Sequence, residues 1–254
     1  MKIIAIVNQK GGVGKSTTAA AMASGLALSG AKVLCVDLDP QGNLSHTLRA
    51  EPRREPSLLE ALLGEADPRE AVQPTYCGHI LPSGAGLANL DGLLSDTGKE
   101  YRLKEVLEPL SGSYDYAVID SPPALGVATV NALTAAGTAI IPAQADIYSL
   151  QGIEQLAATA STVRRYCNPS LRLDGILLTR YSPRSILSRE VRQLMAQLAR
   201  KIGARLYETT IREAIAVKEA QISRQSLFEY APDSNVAKDY QDFLSEALGI
   251  KWEE

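Results

Sequence analysis

The 254-residue sequence predicts an α/β fold, a mostly parallel, doubly wound sheet with helices on both faces. Three observations carry that expectation. Short β-branched apolar runs recur along the chain without alternation, as strands buried on both faces require. Helix-forming segments fall between them, so strand and helix alternate. The first trio, within residues 2–37, has the length and order of one βαβ unit, whose crossover is almost always right-handed.

The elements follow in order. Residues 2–8 (KIIAIVN) form the first strand, residues 9–14 a loop, and the Ala- and Leu-rich residues 16–28 a helix ending near Gly30. Residues 32–37 (KVLCVD) are a second strand. Residues 57–63 read as a short helix with a Pro- and Gly-containing loop beyond it. A strand is expected at 79–82 and a helix at 100–107. Residues 116–120 (YAVID) and 138–142 are buried strands, with a small-residue helix at 127–136 between them. A long helix over 149–165 precedes a strand at 173–179. Residues 185–202 read as an amphipathic helix with Ile186, Val191, Leu194 and Leu198 on one side. A last strand spans 205–211. The helix over 236–248 closes the chain, with Val236, Tyr240, Phe243 and Leu244 at helical spacing. No repeat, low-complexity tract or dividing linker interrupts this order, so residues 1–254 are expected to form a single domain.

Composition narrows the class. Hydrophobic residues are 45% and charged residues 22%, values of a globular chain with a buried core, which excludes disordered, collagen-like and coiled-coil classes. No apolar run approaches the roughly 20 residues that span a bilayer. The N-terminal apolar stretch stops at Asn8, too short for a signal peptide. Cys35, Cys77 and Cys167 are odd in number and far apart, which fits a reducing compartment and a cytoplasmic location. The net charge of -3 hides an asymmetry. Residues 160–228 hold 13 Lys and Arg against five acids, a balance of +8, and the remainder is therefore -11. Such a segment is either one face built for a polyanion or a set of solvated helix faces.

The strongest chemical signal lies between the first strand and the first helix: Gln9-Lys10-Gly11-Gly12-Val13-Gly14-Lys15-Ser16-Thr17. Glycines let backbone N–H groups converge on phosphate oxygens, and the helix N-terminus adds a favourable dipole. Lys15 is the candidate for the β- and γ-phosphates and Ser16 for Mg²⁺. The common pattern G-x-x-x-x-G-K-[ST] has glycine where this chain has Gln9, so K-G-G-x-G-K-S replaces it. Two acidic sites follow at strand ends. Asp37 and Asp39 (DLDPQGN) are expected to face the loop, since ligands of parallel sheets gather at the carboxyl ends of strands. A carboxylate there can orient a water against the γ-phosphate or take part in the surroundings of Mg²⁺. Asp120, closing YAVID, has the Walker B placement, in which an acid holds the Mg²⁺ hydration shell.

The succession KGGVGKST, DLDPQGN, YDYAVIDSPPALG and IIPAQADIYSLQGI resembles the ParA/Soj group of chromosome- and plasmid-partitioning ATPases. That group lies in the deviant Walker A class of P-loop NTPases, with MinD and the nitrogenase iron protein. The likeness extends through GILLTRYSPRSILSREV and REAIAVKEAQ, and is loose over residues 50–98. It implies a P-loop ATPase that binds ATP and Mg²⁺ and forms a homodimer with ATP. Lys10 matches the signature lysine that crosses to the partner protomer's nucleotide, Lys15 the phosphate-loop lysine, Ser16 the Mg²⁺ hydroxyl, Asp39 the residue linked to the attacking water, and Asp120 the Walker B acid. The resemblance also implies non-specific DNA binding and a ParB-like DNA-bound activator. Arg184 falls on one DNA-contact position, with Arg189 and Arg192 as helpers on the same helix. A second such position carries Ala216 instead of arginine, and Lys218 is the candidate substitute. Arg212 and Ala214 replace a Pro and an Asn that lie near the adenine in relatives, so Arg212 is a candidate nucleotide contact.

Other readings differ in testable features. A MinD-like membrane ATPase needs a basic amphipathic tail; residues 239–254 carry five acids against one Lys, so no membrane contact is expected. A nitrogenase-like reductase needs mid-chain cysteines, and none lies between Cys77 and Cys167. A positioning ATPase for a non-DNA cargo, such as a conjugation or secretion complex, stays open. The chain opens on its first strand, so no N-terminal helix-turn-helix is expected.

Overall fold

The computed structural model describes residues 1–51, 53–184 and 186–252. Its strands are β1 (Lys2–Ile6), β2 (Val33–Asp37), β3 (Gln73–Thr75), β4 (Gly78–Leu81), β5 (Tyr116–Asp120), β6 (Thr138–Ala143), β7 (Arg172–Thr179) and β8 (Arg205–Ile211). They form one sheet in the order β3-β4-β2-β5-β1-β6-β7-β8. Among the described residues only the β3–β4 hairpin is antiparallel; the other pairings are parallel. The helices are α1 (Lys15–Leu28), α2 (Asn43–Thr47), α3 (Leu58–Leu63), α4 (Pro68–Ala71), α5 (Leu90–Leu93), α6 (Arg102–Leu107), α7 (Val127–Ala135), α8 (Ile147–Tyr166), α9 (Ile186–Lys201), α10 (Ile215–Ser223), α11 (Leu227–Tyr230) and α12 (Asn235–Leu248).

The continuous apolar runs divide between two cores because successive strand residues point to opposite faces. Ala5, Leu34, Val36, Ile119 and Ile141 pack into one core with residues of α3, α6, α7, α8 and α9. Ile4, Ile6, Cys35, Val118 and Ile140 enter the other with α1, α11 and α12. A fully buried Leu or Ile contributes about 1.5–3 kcal/mol, so these middle strands anchor the fold. Gly25 of α1 gives α12 its seat, since a Cβ there would run into the Leu244 side chain. Val236, Tyr240, Phe243 and Leu244 are buried as their spacing predicts. Two Glu246 oxygens on α12 accept the Glu208 and Thr209 N–H groups of edge strand β8, at 2.8 and 2.9 Å. They satisfy donors where the β7–β8 register shifts.

Several boundaries move by one or two residues, and for local reasons. The long helix starts at Ile147 because the Asp146 side chain caps it through the Ser149 N–H. The expected 100–107 helix divides into a 3-10 turn at Lys99–Tyr101 and α6. Ser57 and Glu60 form a capping box that starts α3, and Gly64 at φ 76° ends it. The apolar side of α9 needs correction. Val191 and Leu198 are buried with Met195 and Ala199, whereas Ile186 and Leu194 are exposed. The expected start of that helix, Ser185, lies outside the described residues. Short elements α2, α4, α5, α10, α11 and β3 carry no apolar period long enough to announce them. No helix among the described residues is long and apolar enough to cross a membrane.

Candidate nucleotide-binding site

The glycine-rich loop sits at the carboxyl end of β1 and is braced from the neighbouring strands. Asn8 Nδ2 donates to the Pro142 carbonyl at 2.7 Å, and its Oδ1 accepts the Lys10 N–H. Thr179 Oγ1 donates to the Val13 carbonyl at 2.8 Å, and Gln144 Nε2 to that of Gly12 at 3.1 Å. Gly12 and Gly14 have φ of 73° and 85°, the left-handed region that glycine adopts without a Cβ clash. Gly14 is the N-cap of α1 and supplies no side-chain cap, and the first turn has no acidic residue. The free N–H groups and the helix dipole there suit an anion.

A cavity of about 610 Å³ opens over this loop. Gly11, Gly12, Gly14, Lys15, Ser16, Thr17 and Asp39 all line it, as the sequence leads one to expect. Val13 does not: its side chain is buried in the core, and only its backbone shapes the loop. The Lys15 ammonium donates to the Lys10 carbonyl at 3.2 Å. Burial pulls its pKa below the ordinary lysine value, against the attraction of Asp120 and Asp39.

The three aspartates divide their tasks. Asp37 is structural: Oδ2 accepts both the N–H and the hydroxyl of Ser45 at 2.7 Å, and Oδ1 accepts the Asp39 N–H. Burial still pushes its pKa up to about 6, with the Ser45 bonds opposing. Asp39 lines the cavity, held by the Gln41 N–H on Oδ1 at 3.0 Å. Asp120 is fully buried, and neither carboxylate oxygen has a hydrogen-bond partner among the described residues. Burial and the neighbouring Asp37 raise its pKa well above the carboxylate range, with Ser16 and Lys15 pulling it down. An orphaned carboxylate beside the Ser16 hydroxyl fits a hydrated Mg²⁺, an ion that retains waters and uses few protein ligands. Among the described residues no cluster of three or more His, Cys, Asp or Glu could hold a metal by itself. The donor set therefore suits an ion carried in with phosphates.

Lys10 is outside the cavity it borders in sequence. Its ammonium pairs with Asp146 Oδ2 at 2.6 Å, with both side chains about one-third exposed. Arg212 lines a second cavity of about 150 Å³ behind the loop, together with Thr179, Arg180, Glu213, Ala214 and Tyr240. Its guanidinium is occupied by Asp239, with two bonds of 2.7 Å.

The residues named for DNA do not gather in one place. Arg184 is exposed, with no ion-pair partner among the described residues. Arg189 donates to the Pro183 carbonyl, and Arg192 pairs with Glu208 at 3.0 Å. These two line a groove between α9 and β8 with Arg200 and Arg205. Lys218, on α10, lines both cavities and stands apart from the groove that holds Arg189 and Arg192. Sequence reasoning missed His46, Thr47, Gln221 and Ile222, which complete the larger cavity's walls. His46, Thr47 and Ile222 fall outside the quoted motifs, and Gln221 closes the REAIAVKEAQ stretch; they sit on the short helices α2 and α10.

Comparison with known proteins agrees with this geometry. A family model described as an AAA domain matches residues 1–173. The sporulation initiation inhibitor protein Soj of Bacillus subtilis is 36% identical over 249 residues, 96% of this chain and 97% of that protein. The chromosome partitioning protein ParA of Caulobacter vibrioides is 38% identical over 87% of this chain and 84% of its own. An ATP complex of McdA from Cyanothece superposes with a TM-score of 0.87 at 30% identity, covering 100% of this chain and 98% of that one. A Mycobacterium smegmatis protein described as cobyrinic acid a,c-diamide synthase, with bound ADP and magnesium, gives 0.78 at 35% identity, covering 99% and 97%. Loop, aspartates, sheet order and relatives agree: the chain belongs to the ParA/Soj family of P-loop ATPases.

Proposed function

We propose that this protein is an ATP-driven switch for partitioning a chromosome or plasmid. It binds ATP with Mg²⁺, pairs with a second copy in that state, holds DNA without sequence preference on the nucleoid, and is reset when a ParB-like DNA-bound partner stimulates hydrolysis. The observation that supports this best is the position of Lys10. It is partly exposed and stands outside its own cavity, which otherwise has a phosphate loop, Lys15, Asp39 and Asp120. A cation in that position suits the nucleotide of a facing protomer, where it would offset charge developing on the β–γ bridge as an arginine finger does.

Within one protomer, the free N–H groups of the loop and the start of α1 bind the phosphate oxygens. Lys15 neutralises the β- and γ-oxygens from below. Bound Mg²⁺ would supply further neutralisation of the same oxygens, held through Ser16, with Asp120 and Asp39 toward its hydration shell. Asp39 orients the attacking water. Its carboxylate lacks a strong general base beside it, so catalysis depends on positioning and electrostatics. Turnover by the isolated protein is therefore expected below the roughly 1–100 per second of a kinase.

Sedimentation tests the reading. The wild type is expected to be monomeric without nucleotide and dimeric with ATP and Mg²⁺. Asp39→Ala holds the dimer by slowing hydrolysis, and Lys15→Ala prevents it. An Asp39→Ala protein that stays monomeric in saturating ATP rules the switch out. A second reading, positioning of a non-DNA cargo, is favoured by the neutralisation of part of the basic segment within the chain. Arg180, Arg192, Lys201, Arg205 and Arg212 are all ion-paired within the chain. A mobility shift on random duplex with ATP, over a salt series, separates the two: DNA ignored at low salt selects the non-DNA cargo.

A further inference from the structure

Helix α10 is a wall of the nucleotide cavity and packs lightly, with Ala216 and Val217 partly buried against the core. Of its residues only Ala220 is buried, and Ile215 and Ile222 are 74% and 80% exposed. Elements with so few buried apolar contacts belong to the least stable part of a fold. Polar bonds add to its hold. Gln221 Nε2 donates to Thr17 Oγ1 on α1 at 3.0 Å. At the carboxyl end of α10, Arg224 Nε donates to the His46 carbonyl at 2.8 Å. Arg49 Nε donates back to the Arg224 carbonyl at 2.6 Å. His46 is in α2, the facing wall of the cavity, and Arg49 lies two residues beyond the end of that helix. Two arginines thus tie the walls together reciprocally.

Each arginine sits just past the carboxyl end of its helix, in the left-handed region. Arg49 and Arg224 have φ of 63° and 52°. Each such residue with a Cβ costs about 1–2 kcal/mol. Neither guanidinium has an ion-pair partner among the described residues. Each side chain spends its Nε–H on a carbonyl of the other segment.

We propose that Arg49 and Arg224 are positioning residues of the nucleotide site: their clasp holds α10 against α2 over a bound nucleotide and slows its release. The inference rests on the nucleotide reading of the cavity. Neither arginine touches the reacting atoms; they act through Lys218 and Gln221, which α10 carries into the cavity.

The test is stopped-flow release of N-methylanthraniloyl-ADP from the Mg²⁺ complex, chased with excess ADP. Glycine is the informative replacement, because it accepts the same positive φ and removes only the side chain. Arg49→Gly and Arg224→Gly are each expected to release the nucleotide about tenfold faster, the loss of one charge-assisted hydrogen bond. The double variant is expected to be no faster than either single one, since a reciprocal clasp opens when one side is cut. Arg49→Lys and Arg224→Lys retain the charge without the guanidinium Nε–H, and are expected to match the glycine variants. Release within twofold of wild type, or full rescue by lysine, overturns the clasp; rescue would reduce its effect to charge alone. Unchanged release with a lowered melting temperature would make the contact a plain structural tie and also overturns it. A wild-type protein that retains no fluorescent ADP at all rejects the nucleotide reading itself.

Discussion

The nucleotide cavity and the α9–β8 groove are both lined by cations, and they are built in opposite ways. In the cavity, Lys15 is buried among Asp39 and Asp120, and every group that positions it is backbone or interior side chain. The groove, about 820 Å³, presents Arg189, Arg200 and Arg205 from exposed positions and Arg192 from a half-buried one. Arg192 leans on Glu208 and Arg205 on Asp174. A charge removed from water must be matched by its surroundings, so its site is specified tightly and fails badly when altered. An exposed charge is screened and exchangeable, so its site tolerates change. The difference separates a site that one residue can abolish from a surface that only several residues together define.

Loss of Lys15 is expected to have the largest effect. Lys15→Ala leaves Asp39 and Asp120 without their cation, and isothermal titration is expected to record at least a hundredfold loss of ATP affinity, about 3 kcal/mol. Retained affinity would erase the contrast between the two regions. Asp120→Asn acts next, and in the opposite direction on stability. The native state raises the Asp120 pKa, so the folded protein binds a proton more readily than the unfolded chain. Stability is then lost as pH rises from the ordinary carboxylate value through the raised one. The neutral variant escapes that loss. Its nucleotide-free melting temperature is expected to exceed that of wild type by a few degrees at pH 8, for about 1–2 kcal/mol, with the gap closing as pH falls. A gap that persists unchanged into acid would show that ionisation is not its cause.

Lys218 sharpens the division, since it belongs to the basic segment in sequence and to the cavity in space. Lys218→Ala is expected to raise the KM for ATP about fivefold, on the order of 1 kcal/mol, while the salt dependence of DNA binding stays as it was. Arg184→Ala is expected to do the reverse. It lowers the slope of log K against log salt by about one unit and leaves ATP binding intact, as mobility shifts over a salt series will report. Glu208→Gln should matter least. Its carboxylate is 90% exposed where it meets Arg192, so urea unfolding is expected to shift by under about 0.5 kcal/mol.

The sequence was most legible where one local rule sufficed. Buried strands announced themselves as apolar runs, and glycines, Lys15 and Ser16 announced the phosphate loop, because spacing along the chain is spacing in the site. The aspartates were found from their place at strand ends, although only the structure separates the role of Asp37, bound up with Ser45, from that of the unpartnered Asp120. Legibility failed where position depends on the path of the chain. Lys218 was named as a substitute for the arginine absent at Ala216, and its place on the cavity walls shows only in the structure, where α10 turns back to the loop after β8. The stripe assigned to α9 slipped because Ile186 and Leu194 are exposed while Met195, one residue along from Leu194, fills the core. Short α2 and α10 had no period to betray them, and Arg49, Arg224 and His46 went unnoticed with them.

The carboxylate of Glu246 also bears on how the chain is made. β8 is the open edge of the sheet, and two of its N–H groups find their acceptor only on α12. During synthesis the nucleotide loop, both central strands and β8 emerge before that helix does. For that interval the nascent sheet has an unguarded border able to pair with another chain. Ribosome-bound chains that stop short of residue 246 are expected to engage chaperones longer than chains that include it, as crosslinking of stalled nascent chains of graded length can measure.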